Sequence, residues 1–310
     1  MTLRGAADAN LMLLAGVDVL GVTLGLKERR EARIHETTPA GAVAPTWGWS
    51  GLRDWRLEQS ALYDDATGAL YDVITGSANR FGGRQGNATF TSSVIGNPIS
   101  LSPAATSSGP GGSRMLCYSL AGGAAGAEFD GGMAAVRLLE RRPVGGGLTK
   151  LELLYSAGSR VPNAAEGGGT TGTTGRQGGA LLDGLVLLAL GVQSYDPNST
   201  VQVESTAVDS GRTSTAGGRF FFAITSTTGV SCSTANSLKF FDSSNGTTWR
   251  GPLALARFRP VNNAAGRPFC GMVDIAGDLQ RYWRCTLGAD ATNQAPGIVS
   301  MNVFAGFARY

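Results

Sequence analysis

The residue types that perform catalysis are sparse in this sequence. It contains one histidine, His35, so a Ser-His-Asp triad would have to use that side chain as its base. His35-Glu36 lacks the second histidine of a zinc-protease motif, and the chain has no GxxxxGK phosphate-binding loop. We therefore predict that His35 is a surface or interface residue rather than a catalytic one.

Paired acidic residues also give little support for a catalytic function. A glycosidase needs two carboxylates across a cleft, and Asp64-Asp65 and Glu128 with Asp130 are pairs of a kind found in any chain. The run from Asp242 to Gly246 has oxygen ligands that suit calcium, but it lacks the closing Glu of an EF-hand. Turn formation explains this run more simply. We predict no enzymatic activity, no cofactor and no metal site.

The four cysteines show no zinc-binding spacing, and they are Cys117, Cys232, Cys270 and Cys285. We predict buried, unreactive thiols. The alternative is a disulfide between Cys270 and Cys285, which flank a predicted turn, in a particle exposed outside the cell.

The composition favours a protein whose surface is covered by other copies of itself. Charged residues form only 16% of the chain, whereas an average domain carries about 25%, and interface cores are poor in charge. A neutral, glycine-rich β protein is the alternative, since the chain has 46 glycines. The net charge of +3 is mild, and the bases in the run 27–33 are interleaved with acids. No nucleic-acid-binding patch is therefore expected.

No membrane anchor or secretory signal is expected. The apolar run Leu11 to Leu14 is broken at Gly16 and Asp18, and no stretch reaches the ~18 apolar residues of a spanning helix.

Hydrophobic periodicity predicts a mainly β protein. The last run alternates, with Val299, Met301, Val303, Ala305 and Phe307 on one face. Asn245-Gly246 lies between extended runs, which predicts a hairpin with a type I′ turn. Further strands are predicted over 52–62, 181–192, 200–206, 219–225 and 238–241. A strand pair is predicted over 134–141 and 148–156, joined at Gly145-Gly146-Gly147, and a hairpin over 11–26 with its turn at 16–18.

One segment departs from the β pattern. Ala66, Ala69, Leu70 and Val73 recur at helical spacing after two acids, which predicts a short helix over 66–74 lying against a sheet. The Gly/Thr-rich segment 166–180 is predicted to be a linker or long loop between an N-terminal domain, 1–165, and a C-terminal domain, 181–310.

Several short motifs, taken in order, resemble the major tail proteins of long-tailed (siphovirus-type) bacteriophages, the tail-tube family. In the C-terminal half a strand over 238–242 leads into Ser-x-Asn-Gly-x-x-Trp, then Phe258, Val273 to Ala276, Arg-Tyr-x-Arg and a closing Phe-Ala-Arg. The residues that carry these motifs are Asn245, Gly246, Trp249, Arg281, Tyr282, Arg284, Phe307 and Arg309.

The N-terminal half is similar to the same family over about residues 10–75. The matching segments are 13–19, Thr37-Thr38, 51–54 and 63–65. The family follows Thr-Thr with Gly-Asp, whereas this chain has Pro39-Ala40-Gly41, and residues 82–130 match nothing in the family.

The resemblance implies a structural virion protein with two β-sandwich domains, each with a short flanking helix. Inner strands of neighbouring copies would form a β-lined tube of stacked rings through which DNA passes without specific binding. The channel wall would be acidic or neutral, with arginines at ring contacts. The protein would reside in the virion tail, and in the host cytoplasm during assembly.

The resemblance also implies contacts. The loop 37–47 would reach the adjacent ring, with Thr37, Thr38, Trp47 and Trp49 at the contact, although both tryptophans could instead lie in the core. Rings would contain three chains with two tube domains each, the preferred arrangement, or six chains in which one domain forms the tube and the other decorates it. Tape-measure, tail-terminator and tail-tip proteins would be the other partners.

The alternative function is that of a lectin-like β-sandwich on a virion or cell surface. In that case Trp249, Tyr282 and Trp283 would form an exposed platform for sugars.

Overall fold

The structure is a computed structural model, and it describes twelve segments of the chain. They are residues 11–36, 47–64, 70–75, 90–94, 97–101, 113–120, 122–157, 181–196, 202–228, 236–258, 269–289 and 299–310. Within them the protein is mainly β, as the sequence predicts. The antiparallel sheets are curled into a half-barrel.

The N-terminal half contains nine strands and one helix in its described residues. They are β1 (Leu11–Leu14), β2 (Val17–Asp18), β3 (Thr23–Glu36), β4 (Trp47–Leu62), α1 (Leu70–Thr75), β5 (Phe90–Val94), β6 (Asn97–Leu101), β7 (Ser113–Ser119), β8 (Glu128–Gly145) and β9 (Leu148–Ala157). A 3-10 turn over Leu20–Val22 precedes β3.

The C-terminal half is all strand in its described elements. They are β10 (Leu182–Tyr195), β11 (Val203–Glu204), β12 (Val208–Asp209), β13 (Gly218–Thr228), β14 (Asn236–Ser243), β15 (Arg250–Phe258), β16 (Phe269–Ile275), β17 (Tyr282–Ala289) and β18 (Val299–Arg309).

One large antiparallel sheet runs through both halves. Its order is β16-β13-β18-β10-β8-β7-β1-β2, and a branch leaves β8 through β9 and β4 to β3. The two halves meet where β8 pairs with β10, with Leu182 opposite Gly131 and Leu185 opposite Glu128. The division into domains at 166–180 stays a prediction, and this strand pairing crosses it.

The N-terminal core lies against one face of the branch. Trp55, Leu57 and Ala61 of β4 are buried there, and the alternation predicted for 52–62 is confirmed because Arg56 and Glu58 are exposed. Leu151, Leu153 and Tyr155 of β9 share the same core. The helix α1 presses Leu70, Val73 and Ile74 into it. The predicted helix is thus confirmed over 70–74, and residues 66–69 lie outside the described residues.

The C-terminal half is a β-sandwich. A second sheet, β11-β17-β14-β15 with β12 also on β17, packs against the large sheet. The core between them is aromatic: Phe307 of β18 stacks on Phe240 of β14 with ring centroids 4.3 Å apart, and Trp283 of β17 meets Phe307 at 4.8 Å. Alternate residues of β18, from Met301 to Phe307, supply this core.

The other face of β18 is buried as well, which the alternating pattern did not predict. Phe304 and Ala308 lie in a third core, which joins the two halves and is called the junction core here. Its centre is Phe129 of β8, whose ring meets Phe304 and Phe221 edge to face at 5.5 and 5.6 Å. β18 therefore lies between two cores, as expected of a central strand of a sheet covered on both sides.

The hairpins are confirmed, but two of their turns differ from prediction. β8 and β9 join through Gly146 and Gly147, both at positive φ, as a two-residue type I′ turn requires. In the first hairpin Ala15 and Gly16 form the turn, at φ 52° and 83°, so the prediction of 16–18 was wrong. The backbone closes one residue earlier because Val17 already pairs with Leu14.

The type I′ turn predicted at Asn245-Gly246 was also wrong. β14 and β15 do form a hairpin, but residues 244–249 lie between them. Gly246 has φ 75°, whereas Asn245 is not among the residues at positive φ. The longer loop is stabilised by side chains instead of by a tight turn.

The predicted buried thiols are confirmed for three cysteines, and the alternative disulfide is not formed. Cys117, Cys270 and Cys285 are free and buried. Cys270 lies in the junction core and Cys285 in the sandwich core, so different layers separate them. Burial raises the pKa of Cys285 to about 12, which suppresses the reactive thiolate. Cys232 lies outside the described residues.

Close packing at Phe129 yields a testable prediction. A Cβ at Gly184 would lie 2.6 Å from the Phe129 ring and 2.7 Å from the Phe307 carbonyl oxygen. Gly184→Ala should therefore lower the free energy of unfolding by about 2 kcal/mol in urea denaturation of the single chain. Gly25→Ala is the control, because a Cβ there meets nothing within 4 Å. Equal destabilisation by both variants would contradict the packing.

Candidate assembly surface

The Asn245 loop is closed by its own side chains. The Asn245 Oδ1 accepts hydrogen bonds from the backbone N–H groups of Thr247 and Thr248 at 3.0 and 2.9 Å. The Ser243 hydroxyl accepts one from Gly246 N–H at 2.9 Å. These oxygens are the ones that were considered for calcium, and the turn itself uses them. Within the described residues no group of three metal-ligating side chains is found.

Trp249 and Arg284 fasten this loop to β17. The Arg284 guanidinium lies 4.5 Å from the centre of the Trp249 ring and 5.3 Å from that of Phe241. It also donates to the Glu204 carboxylate at 3.0 Å. Arg284 therefore links three strands of the small sheet to the loop.

Arg281 and Tyr282 fasten the opposite edge of the small sheet. Arg281 donates two parallel hydrogen bonds to the Asp209 carboxylate, at 2.7 and 2.6 Å, and its guanidinium lies 5.3 Å from the Tyr282 ring. These bonds, with a third from Gly211 N–H, lower the pKa of Asp209 to about 2. The carboxylate thus stays ionised down to strongly acidic pH.

Phe307 and Arg309 complete the set of motif residues. Phe307 is buried between Phe240 and Trp283, and the Arg309 guanidinium lies 4.7 Å from the Trp283 ring. Arg309 also donates to the Ser210 carbonyl. All the motif residues thus hold the C-terminal sandwich together within one chain.

The exposed platform of the lectin interpretation is not formed as predicted. Trp283 is only 2% exposed, and its Nε1–H donates to the Gln280 carbonyl at 2.8 Å. Trp249 and Tyr282 are partly buried, each with an arginine on its ring. The expected surface of three exposed rings therefore lacks Trp283, which is buried.

The residues predicted at the inter-ring contact are described only in part. Thr37 and Thr38 lie outside the described residues. Trp47 and Trp49 begin β4, where their backbones pair with Glu36 and Ile34 of β3. Their role stays a prediction.

Sequence reasoning missed two strand edges. β3, fourteen residues long, pairs with β4, and no described strand lies on its other side. β8 pairs with β7 only as far as Ala135, so among described strands its 136–145 segment has β9 alone. These two edges, the β3 edge and the distal β8 edge, end the four-stranded branch at opposite sides. An open edge presents backbone N–H and C=O groups to a further strand.

Apolar side chains accompany both edges. Leu138 and Val144 of β8 are 44% and 55% exposed, Leu148 at the start of β9 is 58% exposed, and Leu24 of β3 is 52% exposed. Residues 141–148 are exposed throughout, so the β8–β9 hairpin projects from the body. The adjacent apolar pair Leu138-Leu139 was the available sequence signal, since one of the two must face outward from a strand.

A partly exposed charge cluster joins β3, the last strand of the branch, to β8 and β10. The Arg30 guanidinium of β3 donates to Asp183 of β10 at 2.6 Å, and also to Asp130 of β8 and to Glu28 of its own strand. Burial, with a hydrogen bond to Asp183, raises the pKa of Asp130 to about 8. No sequence signal marks this cluster, because Asp130 and Asp183 follow Arg30 in the chain by 100 and 153 residues.

Several other arginines form ion pairs with carboxylates of the same chain. Arg219 pairs with Asp274, and Arg250 donates two hydrogen bonds to the Asp242 carboxylate, at 2.9 and 2.6 Å. Arg142 pairs with Glu140 at 2.6 Å on the projecting hairpin.

The described helices include none that is long and apolar enough to cross a membrane.

The comparisons with known proteins give little guidance. No protein-family model and no curated protein matches the chain. Among solved structures, the chain is similar to the SPP1 Dit (gp 19.1) protein, described as a paradigm of the hub adsorption apparatus in phages that infect Gram-positive bacteria. The alignment covers 96% of this chain and 98% of that one, with 11% identity and a TM-score of 0.29. At such a score the likeness carries no argument here.

The Asp209–Arg281 pair makes stability depend on acid pH. Because the folded-state pKa of Asp209 is about 2, its stabilising contribution is complete above the ordinary carboxyl pKa of about 4 and is lost as the pH falls towards 2. Asp209→Asn should therefore be less stable than the native chain at pH 7, with a difference that shrinks between pH 4 and pH 2. Urea denaturation at pH 7, 4 and 2.5 measures this.

The matched control is Arg281→Gln alone and in combination. If the pair acts as described, the double variant loses no more stability than either single variant. A constant difference at all three pH values would show that Asp209 acts without its charge.

Proposed function

We propose that this chain is a structural protein of a bacteriophage tail whose copies assemble through their open strand edges. The observation that carries the proposal is the pair of edges at the two ends of the β3-β4-β9-β8 branch, with apolar side chains exposed beside them. More finely, we propose that the assembly is a stack of rings that forms the tail tube.

The first step is physical. A long strand edge with exposed apolar residues templates aggregation unless something covers it, and proteins blunt such edges when they function alone. Two positive charges and a proline on the distal β8 edge, at 141–143, partly hinder unspecific pairing with other strands. Leu138 and Val144 nevertheless remain exposed beside this edge. An edge of this kind in a sparsely charged chain is suited to pairing with another copy.

The second step concerns symmetry. The β3 edge and the distal β8 edge are different surfaces, so joining one to the other between copies gives a head-to-tail contact. Such a contact closes into a ring when the rotation permits, and otherwise continues as a filament. The curl of the branch would turn each copy relative to the one before it. In a closed ring both edges of every copy would be paired.

The third step comes from the sequence. The ordered motifs shared with tail-tube proteins lie in strands and loops that build the C-terminal sandwich. The N-terminal matches lie in β1, β2 and β4 and, at 63–64, directly after β4, whereas Thr37, Thr38 and Asp65 lie outside the described residues. These matches support the choice of a tail tube among possible assemblies. Rings of three chains are the preferred arrangement and six chains the alternative, with tape-measure, tail-terminator and tail-tip proteins as further partners.

The charge distribution fits passage of DNA without specific binding. Lys and Arg bind DNA through free contacts with its phosphates. Here Arg219, Arg250, Arg281 and Arg284 are each paired with a carboxylate of the same chain. We keep the acidic or neutral channel wall as part of the proposal.

The edge contact predicts which surface substitutions prevent assembly. Leu138→Lys and Val144→Lys each put a desolvated charge into the proposed contact, and should abolish rings and tubes in negative-stain electron micrographs of the purified chain. Both side chains are exposed, so folding and thermal unfolding should change little.

Ala125→Lys is the control, because Ala125 is exposed and lies in the loop between β7 and β8, outside the strand edges. It should assemble as the native chain does. Monodisperse single chains for the native protein at high concentration would contradict the proposed function, and normal tubes from Leu138→Lys and Val144→Lys would contradict the edge.

A further inference from the structure

The strand β10 carries a third open edge. It pairs with β8 over 182–185 only, whereas its pairing with β18 continues to Tyr195. Val186 is still hydrogen-bonded to the loop that precedes β8. Over 188–194, called the distal β10 edge here, no described strand lies on the side away from β18. The large sheet therefore presents one more set of backbone groups to a further chain.

The distal β10 edge is neutral and partly apolar. Residues 188–194 include no Lys, Arg or Pro, the side chains that hinder pairing at 141–143 on the distal β8 edge. Val192 is 71% exposed, which is more than any other large apolar side chain among the described residues. An exposed apolar group on an open, uncharged edge is typical of a surface that another chain covers.

The distal β10 edge and the β8–β9 hairpin lie at opposite ends of the chain along the strands. β8 and β10 are antiparallel, and they overlap only where 128–131 faces 182–185. The remainder of each strand therefore leaves this overlap in the opposite direction. β8 runs on to the projecting hairpin, where Leu148 faces Gly145 and is 58% exposed. One end of the molecule thus projects an apolar tip, and the other exposes an apolar edge.

The charges of these two ends are complementary. Residues 141–150 include three bases and no acid, whereas 188–196 include one acid, Asp196, and no base. The part of β18 that pairs with the distal β10 edge and its end, 299–303, is uncharged. No like charge within these segments therefore opposes the approach of a hairpin from a second copy.

We propose that the distal β10 edge is the stacking surface of this protein, and that it receives the tip of the β8–β9 hairpin from a copy in the next ring. This inference rests on the proposed function, and it adds a contact to those of the branch edges. Because the two surfaces differ and lie at opposite ends, the contact is head-to-tail and repeats without closing. The branch edges then close each ring, and Leu148 and Val192 join one ring to the next.

Lysine substitutions separate stacking from ring closure. Val192→Lys and Leu148→Lys each put a charge into the proposed stacking contact, and should leave single rings without tubes in negative-stain electron micrographs. Both side chains are exposed, so thermal unfolding should change little. Ala125→Lys, in an exposed loop, should form tubes as the native chain does. Leu138→Lys should form neither rings nor tubes.

A double variant tests whether the two surfaces meet. Leu148→Lys combined with Val192→Asp replaces the apolar contact by an ion pair, and should restore the tubes that Leu148→Lys lacks. These tubes should dissociate into rings at high salt, because salt screens exposed charges. Failure of the double variant to form tubes at low salt would show that the two side chains do not meet.

Hydrogen exchange gives a second readout. Amides of 188–194 should exchange at least about tenfold more slowly in native tubes than in Leu148→Lys rings. Equal exchange, or tubes that persist in both single lysine variants, overturns the stacking contact and leaves ring closure intact. Absence of rings from the native chain at high concentration overturns the proposed function itself.

Discussion

The unsatisfied backbone edge of β3 is the constraint on which the rest of this structure depends. In this fourteen-residue strand, every second residue directs its backbone N–H and C=O groups to a side where no described strand lies. Backbone groups of this kind must pair with water, with another chain or with nothing, and only the first two are favourable. A second edge, on the distal part of β8, lies across the same four-stranded branch. Among the described strands, the four-stranded branch therefore has an open edge on each side.

The remainder of the fold keeps these edges in place. The junction core joins the curled branch to the C-terminal sandwich, and its central ring, Phe129, is reached closely by Gly131, Gly184 and Gly306. Larger side chains at these positions would separate the strands. The Arg30 cluster adds charged hydrogen bonds from β3 to β8 and β10. Arg30 lies opposite Trp55, so the cluster is on the face of the branch that carries the N-terminal core.

The sequence predicted those parts of the fold that depend on local pattern. Alternation identified β4, β9 and β18, and the glycine run 145–147 identified the β8–β9 turn, because period and turn chemistry act within a few residues. Alternation failed to reveal that β18 is buried on both faces, since Phe304 and Ala308 acquire their cover from β8 and β13. The type I′ turn predicted at Asn245-Gly246 was wrong because the side chains of Ser243 and Asn245 stabilise a longer loop.

Of the candidate site, the low charge favoured contact between copies and the resemblance to tail-tube proteins implied pairing of their strands, and both stay predictions. The two edges were not predicted, because they depend on which strands find no described partner, a property of the whole topology. The most direct measurement is hydrogen exchange of the assembled chain against the single chain, resolved by segment. The account predicts new protection over both 23–36 and 136–145. Protection that appears elsewhere, with both segments exchanging as in the single chain, would contradict it.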